Sequence, residues 1–174
     1  MNLGRRLHTW DQRGATWLQG PVYRSRGWRI MAHLLAHSGD GPLVMLVLAL
    51  LAWRGPEPWR AAAWHGLIAV VGLALIVTGI KYAVRRERPQ SPWGGVYRKT
   101  DPHAFPSGHA ARAALVTVLA WRWLPAEWAW AITIWALGVS WARMALGLHY
   151  PTDVLAGWLL GALVGSLWPT PQTR

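Results

Sequence analysis

The sequence predicts an all-α protein: a polytopic transmembrane bundle of about five to six helices behind an amphipathic N-terminal helix. Three observations carry this. Of 174 residues, 53% are hydrophobic and only 14% charged, a balance that belongs to membrane proteins and to a single domain over 1–174. The apolar residues fall in long runs separated by Pro- and Gly-containing breaks. The 15 Trp exceed ordinary usage, and Trp settles at the headgroup level, where an apolar ring and a polar N–H are both accommodated.

Along the chain, residues 3–19 set Leu3, Leu7, Trp10, Trp17 and Leu18 among Arg, Asp and Gln, which suits a helix lying in the interface. Arg5, Arg6, Asp11 and Arg13 interrupt any signal-peptide core, so the chain is expected to keep its N-terminus. Ser38-Gly39-Asp40-Gly41-Pro42 divides the next apolar stretch into a weaker piece, 28–37, and a strong one, 43–53. This predicts a broken first span, since the strong piece alone is shorter than the roughly 20 residues a bilayer requires. Residues 1–40 are thus an interfacial and broken N-terminal region, and 59–168 the core.

Residues 59–80 run almost without polar interruption and give the clearest span, with His65 its one ionisable interior residue, read as a satisfied or interfacial histidine. A polar loop over 82–105 follows, carrying Arg85, Arg86, Arg98 and Lys99 among others. Three further apolar segments, 108–124, 127–142 and 153–168, are parted by Pro125 and by a turn from Gly147 to Asp153, and a short polar tail ends the chain. Trp64, Trp130 and Trp135 lie well inside apolar runs and read equally as core packing.

The formal charge of +11 does not point to nucleic acid, because the 16 Arg and 2 Lys gather between apolar runs; anionic lipid headgroups are the better partner. With no Cys, disulfides and thiolate metal sites are excluded.

Successive spans reverse direction, so the end of the 59–80 helix, the start of the 107–124 helix and the turn joining the last two helices fall on one membrane face. Three polar motifs sit there: Lys81 with Arg88-Pro89, Pro106-Ser107-Gly108-His109, and Arg143 with His149 and Asp153. They supply what a phosphoryl group needs. Lys81, Arg88 and Arg143 form a cationic clamp, the arginines as planar bidentate donors. Ser107 and Gly108 open a helix whose N–H groups and positive end suit an anion, and Ser107 also reads as an ordinary N-cap. Asp153, four residues after His149 and just past Pro151, can reach back to that imidazole, fix its tautomer and leave the other nitrogen to attack phosphorus. His149 is therefore the candidate nucleophile and His109 the general acid for the departing oxygen.

Lys81-x6-Arg88-Pro89, Pro106-Ser107-Gly108-His109 and Arg143-x5-His149-x3-Asp153 resemble the three signature motifs of the type 2 phosphatidic acid phosphatase superfamily. The resemblance covers 81–153 directly and implies a core of the kind shared with vanadate-dependent haloperoxidases, whose soluble body the apolar runs argue against. It implies a metal-independent phosphatase without cofactor: a phosphohistidine on His149 assisted by Asp153, His109 protonating the leaving group, and Lys81, Arg88, Ser107, Gly108 and Arg143 holding phosphate. One departure is Ala142 in place of the Ser that often precedes the third-motif Arg, with Ser140 two residues earlier. The chain resembles small bacterial members acting on undecaprenyl diphosphate, phosphatidylglycerophosphate or phosphatidate, and the sequence does not choose among these lipids.

A phosphotransferase with the same intermediate, or a headgroup-binding or transport protein, remains the alternative; loss of His109, His149 or Asp153 would mark the latter, and all three are present. The resemblance implies a bacterial cytoplasmic membrane protein with an extracytoplasmic site. The positive-inside tendency of Arg5, Arg6, Arg13, Arg24, Arg26 and Arg29 pulls the other way if 28–40 does not invert their side.

Overall fold

The computed structural model describes residues 3–57, 59–93, 95 and 101–170, with side chains from Thr9 onward. Arg98 and Lys99, named above as loop cations, and the last four residues of the tail lie outside the described residues, as do the side chains of Arg5 and Arg6.

Seven helices are seen among the described residues: α1 Leu3–Arg24, α2 Arg26–Ser38, α3 Gly41–Arg54, α4 Trp59–Val84, α5 Gly108–Trp123, α6 Ala126–Ala145 and α7 Pro151–Leu167. The all-α bundle expected from the sequence is what forms. Among the described residues, α4 is the one single helix long and apolar enough to cross a bilayer, and α2 with α3 meets the same test as a pair bent by 57°. The break falls at Gly39-Asp40, within the predicted turn, where α2 ends and Pro42 sits in the first turn of α3.

Two apolar clusters hold the bundle. One joins Ala69, Val70, Leu73 and Val77 of α4 to Ala111, Leu115 and Leu119 of α5; the other joins Val22, Ala32 and Ala36 of the first two helices to Ala142, Ala145, Leu146 and Leu148. Alanines make up most of the second cluster, so backbones approach closely there, while Leu and Val fill the first. The extreme case is α5 against α7, where Gly157, Gly161 and Gly165 form a groove four residues apart. A Cβ on Gly161 would lie 2.0 Å from the Ala111 carbonyl oxygen, and one on Gly157 would lie 2.6 Å from that of Ser107.

The outer faces are apolar. Leu46 and Leu50 of α3, Ile68 and Leu75 of α4, Ile134 and Leu137 of α6, and Leu155, Leu159 and Leu163 of α7 are all exposed. Faces of this extent on a water-soluble monomer would drive association, and lipid is the medium that accepts them. Trp64 and Trp130 are exposed on this outer surface rather than buried in the core, Trp130 lying edge-on to Trp121 of α5. Trp135 instead donates from its indole to Ser38 Oγ at 2.9 Å, and His65 lies edge-on to Trp123.

α1 docks on the bundle through Asp11, Ala15 and Val22, all buried on one helical face, while Trp10 and Trp17 project outward. Both carboxylate oxygens of Asp11 are engaged by the start of α7: Oδ1 accepts from the Thr152 N–H at 3.0 Å and Oδ2 from the Thr152 hydroxyl at 2.6 Å. A helix that is amphipathic in sequence is thus also latched by a buried carboxylate to the end of the bundle where the three motifs meet.

Candidate active site

Helix ends deliver the motifs. α4 continues past the predicted boundary, so Lys81 stands in its last turn rather than beyond it, and Arg85 at φ 52° ends the helix by turning the chain back. Glu87 and His103 then pair as an isolated antiparallel bridge, and the Ala104 N–H donates to the Arg86 carbonyl at 2.8 Å. That closure pins the two ends of the loop and brings Arg88 under the same roof as the start of α5. α6 likewise runs three residues further than its apolar pattern, placing Arg143 inside the last turn. Gly147 at φ +62° supplies the left-handed turn into His149, with Gln19 and Ser91 packed so near that a Cβ would meet both.

Lys81, Arg88, Arg143, His149 and Asp153 are all buried and gather at this end of the bundle. Arg88 is the hub: Nη1 donates to the Leu148 carbonyl at 2.9 Å and to His149 Nε2 at 3.0 Å, while Nε and Nη2 reach the carbonyl and carboxylate of Asp101 at 2.7 and 2.9 Å. Lys81 donates to the same Asp101 carboxylate and to the His103 carbonyl at 3.0 Å. Asp101 thus bridges two of the three clamp cations, the position an oxyanion would compete for.

His149 differs from expectation in its partner. Its Nδ1–H donates to the Ala104 carbonyl at 2.8 Å, and Asp153 lies 3.8 Å from that nitrogen, outside hydrogen-bond range. The backbone carbonyl therefore sets the tautomer and leaves the Nε2 lone pair toward Arg88. Asp153 is committed elsewhere: Oδ2 accepts the Tyr150 N–H at 2.8 Å at the start of α7, and Oδ1 accepts from Arg86 at 2.7 Å. Burial foremost, then the charges of Arg88, Arg143, Lys81 and His109, pushes the His149 imidazole well below its ordinary range. That direction favours the neutral ring, whose Nε2 lone pair is not taken by a proton.

At the start of α5, Ser107 caps the helix, its Oγ accepting from the Ala110 N–H at 3.4 Å. The Ser107 N–H, read from the sequence as a phosphate donor, goes instead to the Asp153 carbonyl at 3.0 Å, tying α5 to α7. His109 Nε2 bonds Asp40 Oδ1 at 2.7 Å, a partner contributed by the break between α2 and α3. Ser140, near the departure noted in the third motif, bonds the Ala136 carbonyl and accepts from the Trp158 indole at 2.8 Å, bracing α6 against α7.

A cavity of about 290 Å³ opens between α4 and α5 beside this network. Lys81, Asp101, Gly108, His109 and Arg112 line its polar end, and Val70, Leu73, Ala74 and Val77 of α4 line the rest. From Lys81 to Val70 the helix descends about 16 Å, so one cavity offers cations and imidazole at the top and hydrocarbon below. Among the described residues, no three His, Asp or Glu side chains cluster in a way that could hold a metal ion.

Asp40, Asp101, Ala104 and Asp11 were not among the residues the sequence marked for the site, and Arg86, read there as a loop cation for a diphosphate or a solvated anchor, bonds Asp11 and Asp153. One signal for the acidic ones was present: a chain with 18 cationic side chains and only 7 acidic ones has few carboxylates to spare, and those beside membrane helices are suspect on cost alone.

Comparison with known proteins follows the same lines. The family model of the PAP2 superfamily matches residues 62–173. Decaprenylphosphoryl-5-phosphoribose phosphatase of Mycobacterium tuberculosis is 34% identical over 155 residues, covering 86% of this chain and 84% of that protein. Undecaprenyl-diphosphatase of Sulfolobus acidocaldarius is 31% identical over 110 residues, 56% of this chain and 53% of that one. The crystal structure of a transmembrane PAP2 type phosphatidylglycerolphosphate phosphatase from Bacillus subtilis superposes with a TM-score of 0.75 at 23% identity, covering 93% of this chain and 84% of that chain. LpxE of Aquifex aeolicus gives 0.74 at 18%, covering 90% and 93%. The two structures share the fold with this chain.

Proposed function

This chain belongs to the PAP2 superfamily, and from that premise we propose that it is an integral membrane phosphatase that hydrolyses a lipid-linked phosphate or diphosphate through a phosphohistidine on His149. The observation that carries the lipid substrate is a cavity with cations and imidazole above and an apolar stripe of α4 below. An amphiphile fits it end to end.

In the first step the His149 Nε2 lone pair attacks phosphorus as the bond to the leaving oxygen breaks, and His109 gives that oxygen its proton. In the second, His109 takes a proton from water, water attacks the phosphohistidine, and phosphate departs with His149 restored. Lys81, Arg88 and Arg143 neutralise the phosphoryl oxygens, the phosphate displacing the Asp101 carboxylate from the first two; Ser107 and Gly108 hold the start of α5 against them. Asp153 acts on His149 by charge and by fixing the turn that carries it. No step calls for a metal.

Among substrates, a polyprenyl phosphosugar joins the undecaprenyl diphosphate, phosphatidylglycerophosphate and phosphatidate considered from sequence, because the similar mycobacterial protein is a phosphatase of one. The test is phosphate release by detergent-purified protein in excess EDTA from each of these and from a lipid-free ester. Release from one or more lipids is expected. Release that needs added Mg²⁺ would end the metal-free mechanism, and no release at all would move the weight to phosphotransfer or headgroup binding.

We place the protein in the bacterial cytoplasmic membrane. For the face, the family resemblance supports an extracytoplasmic site, but this chain's own residues oppose it. Asp11 ties α1 to the site end of the bundle, so Arg13, Arg24, Arg26 and Arg29 sit with Arg85 and Arg86 there, against Arg54, Arg60 and Arg122 at the other end. That bias favours the cytoplasm. In a chain without Cys, a cysteine at position 13 is expected to resist a membrane-impermeant maleimide in intact cells. Ready labelling would return the site to the extracytoplasmic face.

A further inference from the structure

We propose that Asp40 is the positioning residue of His109, orienting that imidazole by its Nε2–H and stabilising the protonated ring that expels the lipid alkoxide. The proposal rests on the phosphatase reading above, in which His109 is the general acid.

Asp40 stands at the N-cap of α3, where an Asp ordinarily accepts from the backbone N–H groups of the first turn. Here its side chain makes no such bond. Oδ1 instead accepts from His109 Nε2 at 2.7 Å across the bundle, and Oδ2 from His37 Nδ1 at 2.9 Å. Both oxygens are given to imidazoles, one largely buried and one 59% exposed. A carboxylate that forgoes its local cap for a ring 69 residues away is placed for that ring.

The break in the span is shaped to permit this. Gly39 lies so close to α5 and α6 that a Cβ there would be 2.7 Å from Val139 and 3.4 Å from His109 Cδ2. Arg112, one turn along α5 from His109, donates to the Gly39 carbonyl at 2.7 and 3.2 Å, fixing the bend against the helix that carries the acid. Because Asp40 takes Nε2, the proposal assigns the proton transfer to the substrate oxygen to Nδ1.

The chemistry requires such a partner. His109 lines the cavity with Lys81 and Arg112, so a proton on the ring stands among the cations that bind phosphate. A carboxylate on the far nitrogen offsets their repulsion and locks the ring plane, as carboxylates do for metal-bound and catalytic histidines. As the P–O bond breaks and the P–Nε2 bond to His149 forms, the Nδ1 proton of His109 passes to the leaving oxygen and the ring becomes neutral, still bonded to Asp40. Water attacking the phosphohistidine returns a proton to Nδ1.

The test separates this from a structural role by leaving group. An alkoxide must be protonated to depart, whereas p-nitrophenolate leaves unaided, so only the former needs His109 as an acid. Purified Asp40→Asn is expected to lower kcat on the best lipid ester about 100-fold with KM little changed. On p-nitrophenyl phosphate the burst rate of p-nitrophenolate release, which reports bond cleavage apart from the shared hydrolysis of the phosphohistidine, is expected to fall by no more than about threefold, and Asp40→Glu to recover part of the lipid activity. Parallel loss on both esters, or full lipid activity in Asp40→Asn, overturns the proposal. Absence of His149-dependent release from either ester by the unaltered protein fails the phosphatase reading itself, and this proposal with it.

Discussion

Replacing His149 with Ala is expected to lower lipid-phosphate release by at least about 10³-fold while leaving the helical bundle folded. The geometry gives the reason for so large an effect. The Ala104 carbonyl holds Nδ1–H, so Nε2 keeps its lone pair on the side of Arg88, the cation that would meet the phosphoryl group. Burial and the surrounding cations keep the ring neutral well below its ordinary range. A base whose folded pKa is depressed stays unprotonated as pH falls through 6.5, so the acid side of the kcat/KM profile is not set by His149 protonation near that pH. Of the Arg88 bonds described above, the one to His149 Nε2 meets a nitrogen lone pair, while the others go to carbonyls and to the Asp101 carboxylate. The check is a single-turnover assay on both proteins, with the phosphoenzyme trapped and tested for the acid lability of a phosphoramidate. Comparable turnover in folded His149→Ala would remove the nucleophile from the mechanism.

The convergence of Lys81, Arg88, His109, Arg143 and His149 was legible because alternating spans dictate which helix ends share a face, and that inference needs only run lengths and breaks. The break at Gly39-Asp40 was legible from Gly and Pro. The helix ends were not: apolar periodicity stops near residues 80 and 142, yet α4 and α6 continue, because their final turns carry the cations and so look like loop. The turns that do stop them, at Arg85 and Gly147, are backbone events with weak composition signals. The partners of the histidines were less legible still. Asp153 is local to His149 in sequence and invited pairing, but its oxygens are claimed by Tyr150 N–H and Arg86, which leaves a backbone carbonyl from 45 residues away to orient the ring. Asp40 read as a turn residue, since nothing within its own segment announces a partner on α5.

Gly161→Ala is expected to be the most damaging added methyl among the described glycines, with Gly79→Ala as its control. The added Cβ at 161 would lie 2.0 Å from the Ala111 oxygen and 2.8 Å from its carbonyl carbon. Those are backbone atoms of a buried helix, so no rotamer change relieves the overlap and α5 must move off α7. Overpacking of flexible side chains costs 1–3 kcal/mol; a clash with backbone belongs at or above the upper end, about 3 kcal/mol. The displacement is also aimed at the chemistry, because the same helix pair is tied by the Ser107 N–H to the Asp153 carbonyl, with His109 two residues along α5 and His149 four before Asp153 on the chain. Folded yield and activity should therefore fall together. At Gly79 no heavy atom lies within 4 Å of a Cβ, and Ala there is expected to be neutral or to stabilise α4 by up to about 1 kcal/mol through helix propensity. Thermal unfolding in detergent compares the two. A Gly161→Ala protein as stable and active as Gly79→Ala would mean that the α5–α7 backbones do not approach as closely as the glycine groove requires.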